Sequence, residues 1–209
     1  MLNDLILNCG NVTKSFVVET GLFKTATKQI KVIENVSVSL EKGKILGIAG
    51  ESGSGKTTLA KIIAGFLVYD TGKIFIDGND IKNYSRIELA RKIQMIFQDP
   101  FSSLNPKLSV KTAIFEAIRT NKKKWQDKLE KRAKEILGFV GLPSQALEQY
   151  PHQFSGGQRQ RIAIARALAA EPKLIIADEP VSALDISIQA QIMNLFLDLK
   201  DTFGFSYIL

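Results

Sequence analysis

Gly50-Glu51-Ser52-Gly53-Ser54-Gly55-Lys56-Thr57 fits the pattern of a glycine, four variable residues, then Gly-Lys-Ser/Thr. Glycines at this spacing let the backbone wrap an anion with several N–H groups, and a helix starting at once adds its positive N-terminus. Lys56 then reaches the β- and γ-phosphates of a nucleotide, Thr57 offers a hydroxyl to magnesium, and Thr58 shares the first helical turn. The flanks are the expected ones, an apolar strand (KILGIA) before and an apolar helical run (TLAKIIAGF) after. A Gly-rich turn can be purely structural, but Lys-Thr in register argues against it. A second acidic element complements the loop. Leu174-Ile175-Ile176-Ala177 is an apolar strand ending in Asp178 and Glu179. Asp178 is placed to hold the metal through its water shell, and Glu179 to orient an attacking water or take its proton. Two acids after a strand can merely end a loop; beside a matched phosphate loop they point to hydrolysis as well as binding.

The elements that must position these groups alternate between strand and helix. Val36, Val38 and Leu40 alternate with polar residues, as do Ile74 and Ile76 ahead of the Asp77-Gly78 turn, predicting half-buried and partly antiparallel strands in the N-terminal half. Ile45 to Ala49 and Leu174 to Ala177 are short apolar runs, predicting central parallel strands covered on both faces. Helices are predicted over 57–67, 87–93, 126–140, 158–170 and 187–202, the last with Ile188, Ile192, Leu195, Phe196 and Leu199 on one stripe. The stretch 20–29 reads as an exposed hairpin arm and 205–209 as another buried strand. The fold class is therefore α/β, with a mainly parallel sheet, an antiparallel part near the N-terminus and an inserted helical region without clear strands.

Composition narrows the class. Of 209 residues, 45% are hydrophobic and 23% charged, as in ordinary globular proteins. No apolar run approaches the roughly 18 residues that cross a bilayer, and the N-terminus has no basic n-region and carries an acid at Asp4, unlike a secretory signal, so a cytosolic chain is expected. The single Cys9 suits a reducing compartment and reads as a buried thiol. The charge of +7 admits nucleic acid, an anionic membrane face or a polyanionic ligand. Its densest stretch, Lys122 to Lys134, is interleaved with Leu129, Ala133, Ile136, Leu137 and Val140 at helical spacing and reads as the solvated face of an amphipathic helix.

Phe154-Ser155-Gly156-Gly157-Gln158-Arg159-Gln160-Arg161, followed by IAIARAL, resembles the signature of ABC-transporter ATPases. Ser155, Gly156 and Gly157 open the Gln158 helix and leave N–H groups at a second anion-binding terminus; a plain helix cap is the alternative. The resemblance implies a P-loop NTPase (RecA-like) core, with ATP and Mg2+ as ligands and a head-to-tail dimer, homo- or hetero-, in which each ATP lies between one loop and the partner's signature. It also implies that Gln98 contacts magnesium and the lytic water, that Asp185 lies at the dimer interface, and that Phe16 stands where an aromatic stacks on adenine, with a core position for Phe16 as the alternative and Phe23 as rival. By the same resemblance, residues 1–98 form the nucleotide-binding core with its antiparallel part, 99–158 the helical subdomain ending in the signature, and 159–209 the rest of the core.

The stretches 98–106 (QDPFSSLNP) and 150–155 (YPHQFS) and the GLFK arm resemble the ATPase subunits of oligopeptide, dipeptide and nickel importers. That implies transmembrane permease subunits as direct partners, a solute-binding protein as an indirect one, and a peripheral place on the cytoplasmic face of the cell membrane. Peptide is the first expectation for cargo and nickel the second. A soluble ABC ATPase acting on nucleic acid is the alternative, but it would usually bring two cassettes or a long coiled-coil insert, so nucleic acid is not expected. His152, the only histidine, reads as structural. The family's switch histidine follows the strand that FGFSYIL matches, and the sequence ends at Leu209. The expectation is that these residues bind Mg-ATP but turn it over slowly.

Overall fold

The computed structural model describes residues 4–20, 26–99, 104–120, 125 and 128–209. Two sheets carry the chain. Strands β1 (Leu5–Thr20) and β2 (Ala26–Glu41) pair antiparallel over their length, and β4 (Thr71–Ile76) and β5 (Asn79–Asp80) extend them in the order β2-β1-β4-β5. The second sheet is parallel, with β3 (Ile45–Leu46), β8 (Ser206–Ile208), β7 (Leu174–Ala177) and β6 (Ile93–Ile96) in that order.

Every residue of β7 is buried because both faces of the parallel sheet are covered. Leu174 and Ile176 point into a core shared with β1, β4 and helix α1 (Lys56–Ile63). Ile175 and Ala177 point the other way, into a core shared with α3 (Val110–Arg119), α4 (Leu129–Phe139), α5 (Gly156–Ala169) and α6 (Ile186–Phe203). Helix α2 (Arg86–Lys92) begins at a capping box between Ser85 and Glu88. Cys9 is buried in the first core, and burial pushes its thiol up to about 12.

The expectation of a central strand at 45–49 is corrected. β3 pairs with β8 alone among the described residues, and Ile45, Leu46 and Ile48 are only partly buried. The ladder still runs on toward the phosphate loop, since the Leu209 N–H donates to Leu46 O and the Ile48 N–H to Leu209 O. The predicted helices are present with moved ends: α1 stops at Ile63, and Ile93 begins β6 instead of ending α2. In the basic stretch, α4 buries Ala133, Ile136 and Leu137 and exposes Lys131 and Lys134, as a solvated amphipathic face requires; Lys122 to Lys124 lie outside the described residues. At the arm, the ladder of β1 and β2 reaches Thr20 opposite Ala26; residues 21–25, Phe23 among them, fall outside the description.

One carboxylate ties the sheets together. Asp77, in the turn after β4, receives the ammonium groups of Lys42 at 3.0 Å, Lys92 at 3.2 Å and Lys173 at 2.6 Å. Lys42 follows β2, Lys92 ends α2 just before β6, and Lys173 leads into β7. Burial pushes this carboxyl up, but the hydrogen bonds from Lys173, Lys42 and Lys92 outweigh it and hold it well below the usual carboxylate range.

Candidate phosphate and hydrolysis site

The loop 50–57 leaves β3 and enters α1 through Gly55, whose φ of 97° lies in the left-handed region. A Cβ there would stand 2.8 Å from both the Val32 carbonyl oxygen and Ile33 Cδ1, so the hairpin can approach only because residue 55 is glycine. Lys56 lies across the loop, its Nζ donating to Gly50 O at 2.7 Å and Glu51 O at 2.9 Å. Ser54 closes the turn with an N–H bond to Glu51 O at 3.2 Å.

A cavity of about 250 Å³ opens beside the loop, walled by Ser52, Gly53, Gly55, Lys56, Thr57 and Thr58, with Val32, Gln98 and Glu179 opposite. It is smaller than typical small-molecule pockets of about 300–1,000 Å³, with room for a phosphate tail and not for a whole nucleotide. Two larger clefts, of about 600 and 570 Å³, lie away from the loop and contain none of these groups.

The predicted acids arrive on β7. Its register beside β6 carries Asp178 to the loop, fixed by the Asp178 N–H bond to Ile96 O at 2.9 Å. Thr57 Oγ1 donates to Asp178 Oδ1 at 3.0 Å, bringing a hydroxyl and a carboxylate from positions 121 residues apart into one place. Gln98, just past β6, donates from Nε2 to Glu179 Oε2 at 2.7 Å and to Ser182 Oγ at 3.3 Å. Thr57, Asp178 and Gln98 offer hard oxygen atoms without sulfur or imidazole. That donor set fits magnesium, which takes one or two carboxylates and completes its shell with water and phosphate oxygens.

The signature residues stand apart. Ser155 caps α5 in a capping box, its Oγ accepting from the Gln158 N–H at 3.3 Å and its own N–H donating to Gln158 Oε1 at 3.0 Å. Ser155 and Gln158 are exposed, and none of Ser155, Gly156, Gly157, Gln158 or Asp185 lines the cavity. Gly157 is pressed against α6, where a Cβ would meet Ile188 Cγ2 at 2.8 Å. Asp185 starts α6 without a side-chain cap bond, followed by Ile186 at 85% exposure. His152 sits in the turn before the signature, its ring stacked on Tyr150 and its carbonyl accepting from Arg159.

Phe16 lies on β1 opposite Ile30, with the Lys14 ammonium 5.5 Å above its ring. It is outside the cavity wall, where the hairpin contributes Val32 instead. Val32 is the site residue that sequence reasoning missed; Ser182 opens the stretch Ser182-Ala183-Leu184-Asp185, read in the sequence for Asp185 at a dimer interface and not for a contact with Gln98. An apolar strand residue carries no chemical signal, whereas Ser182 stood in sight, three residues beyond Glu179.

A phosphate loop, an acid-tipped parallel strand and a polar side chain bridging from the neighbouring strand define a P-loop nucleotide-binding protein. Comparison with known proteins narrows this class. The model of the ABC transporter family matches residues 33–182, and the chain belongs to that family. It is 44% identical over 209 residues to the oligopeptide transport ATP-binding protein AppF of Bacillus subtilis, covering 98% of this chain and 64% of that protein. It is also similar to the solved structure of cbiO1 from Clostridium perfringens, part of the ABC transporter complex cbiONQ, with a TM-score of 0.80 and 30% identity over 98% of this chain and 77% of that one. A dimeric ATP-binding cassette bound to ADP and Pi matches with a TM-score of 0.78 and 32% identity, covering 97% of this chain and 86% of the other. The chain thus spans just under two thirds of the length of the Bacillus relative. No helix among the described residues is long and apolar enough to cross a membrane.

Proposed function

We propose that this chain is the ATP-binding and ATP-hydrolysing part of an importer's motor subunit, with peptides as the transported class. The observation that carries the reading is the convergence of Lys56, the Thr57–Asp178 pair and the Gln98–Glu179 pair on one small cavity. Lys56 and the loop N–H groups hold the β- and γ-phosphates. Thr57, Asp178 and Gln98 hold Mg2+, which when bound neutralises charge developing on the phosphate oxygens. Glu179 orients the attacking water and accepts its proton, with Gln98 fixing the carboxylate. Phe16, on the same hairpin as Val32, is assigned to the base. The peptide assignment rests on the names of relatives such as the Bacillus oligopeptide transport protein.

Two surfaces serve the partners. The signature terminus, with Asp185 and the exposed Ile186, is assigned to a second cassette in a head-to-tail dimer, a reading supported by a similar cassette's being dimeric. The cleft of about 570 Å³ between α2, β6 and α3 is assigned to a permease helix at the cytoplasmic face of the membrane. Phe66, 61% exposed and stacked on Phe97, lines it with Leu89, Arg86 and Arg166. Phe97 immediately precedes Gln98, so a partner seated there acts on the hydrolytic pair through a single peptide bond.

The test is Mg-ATP binding and turnover by the full natural chain and its Lys56→Ala variant. Removing the ammonium is expected to weaken ATP affinity by about 100-fold, as loss of a charge-assisted contact does. Equal affinity in the two proteins would overturn the reading.

A further inference from the structure

We infer that Ser182 is a positioning residue for hydrolysis, holding the Gln98 amide one way round and fixing the Glu179 backbone so that both groups face the cavity together. The inference rests on the ATPase reading above and concerns a residue outside the phosphate-loop pattern and its paired acids.

Glu179 has φ of 47°, a region that residues with a Cβ adopt rarely and that persists only where neighbours hold it. Ser182 is the neighbour that does so. Its N–H donates to Glu179 O at 3.2 Å and its hydroxyl donates to the same oxygen at 3.1 Å. A serine hydroxyl has one proton, and here it is committed to that carbonyl, so the oxygen turns its lone pairs outward. The Gln98 Nε2 group meets them at 3.3 Å.

The consequence lies in Gln98. Its two amide protons are directed to two acceptors, Glu179 Oε2 at 2.7 Å and Ser182 Oγ. One acceptor alone would leave the amide free to swing about that bond, whereas two define its plane and keep nitrogen on the Glu179 side. The carbonyl oxygen is then the atom presented elsewhere, and only that oxygen can ligate a hard cation or accept from water. A single hydroxyl thus sets the carboxylate and the amide together.

The experiment compares Ser182→Ala and Ser182→Thr in the full natural chain, measuring ATP affinity, single-turnover hydrolysis and the Mg2+ concentration giving half-maximal turnover. Ser182→Ala is expected to slow hydrolysis by about 10-fold and raise the Mg2+ requirement while leaving ATP affinity within about two-fold, the size of one lost hydrogen bond felt in the reacting state. Ser182→Thr, which keeps the hydroxyl, is expected to recover most of the rate. Wild-type turnover in the alanine variant, a threonine variant as slow as alanine, or affinity falling in parallel with rate would each overturn the inference alone. Absence of hydrolysis in the wild-type chain would overturn the ATPase reading and this inference with it.

Discussion

The phosphate-loop end and the signature end of this molecule are built on opposite plans. At the loop, side chains from four separated stretches, around residues 32, 56, 98 and 178, meet within hydrogen-bond or contact distance of one cavity. At the signature, the capping box pairs Ser155 with Gln158 three residues away, and both remain at the surface. The first site is assembled by the fold from distant stretches of one chain. The second is a locally complete helix start, and on the reading proposed above it acts against the surface of a second cassette.

Glu179→Gln gives the sharpest separation of the two. Loss of the base is expected to slow single-turnover hydrolysis by about 100-fold or more while ATP affinity stays near wild type, and the ATP-bound chain is expected to sediment as a dimer. A monomer under those conditions would break the division between the two ends.

On that background Gly157→Ala probes the signature end alone. The added methyl must displace Ile188, so stability is expected to fall by about 1–2 kcal/mol in urea unfolding. The dimer should be lost without change in the monomer's ATP affinity; parallel loss of affinity would show that the ends are not separable.

The smallest effect is expected from Asp77→Asn, remote from both. Because the folded carboxyl is held below its unfolded value of about 4, its contribution is present above that pH and disappears as pH falls toward the folded value. At pH 7 the variant should lose about 1 kcal/mol, since two of the three lysines are half exposed and solvent screens them. The gap between the two proteins should close below about pH 4 in acid unfolding, and ATP affinity should not change.

How much of this was legible in the sequence follows from what each residue does. Lys56, Thr57, Asp178 and Glu179 announce themselves because phosphate chemistry demands those types at fixed spacing, and the buried β7 shows as an unbroken apolar run. β1 was legible only as a strand-like stretch before the arm, without bounds, because its ladder shifts register between Cys9 and Val12 and again around Lys14, which breaks the alternation that marks a strand. Ile93 was assigned to a helix because an apolar residue after a helical stripe cannot reveal by itself that the chain has turned to extended backbone. The half-covered state of β3 was hidden for a different reason: an apolar strand does not state how many neighbours it has.

The Asp77 knot has a mechanical meaning as well as an electrostatic one. It fastens the antiparallel sheet to the heel of the parallel one, at Lys173, five residues before Asp178 at the toe. Five extended residues span about 16 Å, so a rotation of about 4° about that rivet moves Asp178 by about 1 Å relative to the hairpin that carries Val32. A small turn at the heel would thus be magnified at Asp178, beside the Thr57 hydroxyl.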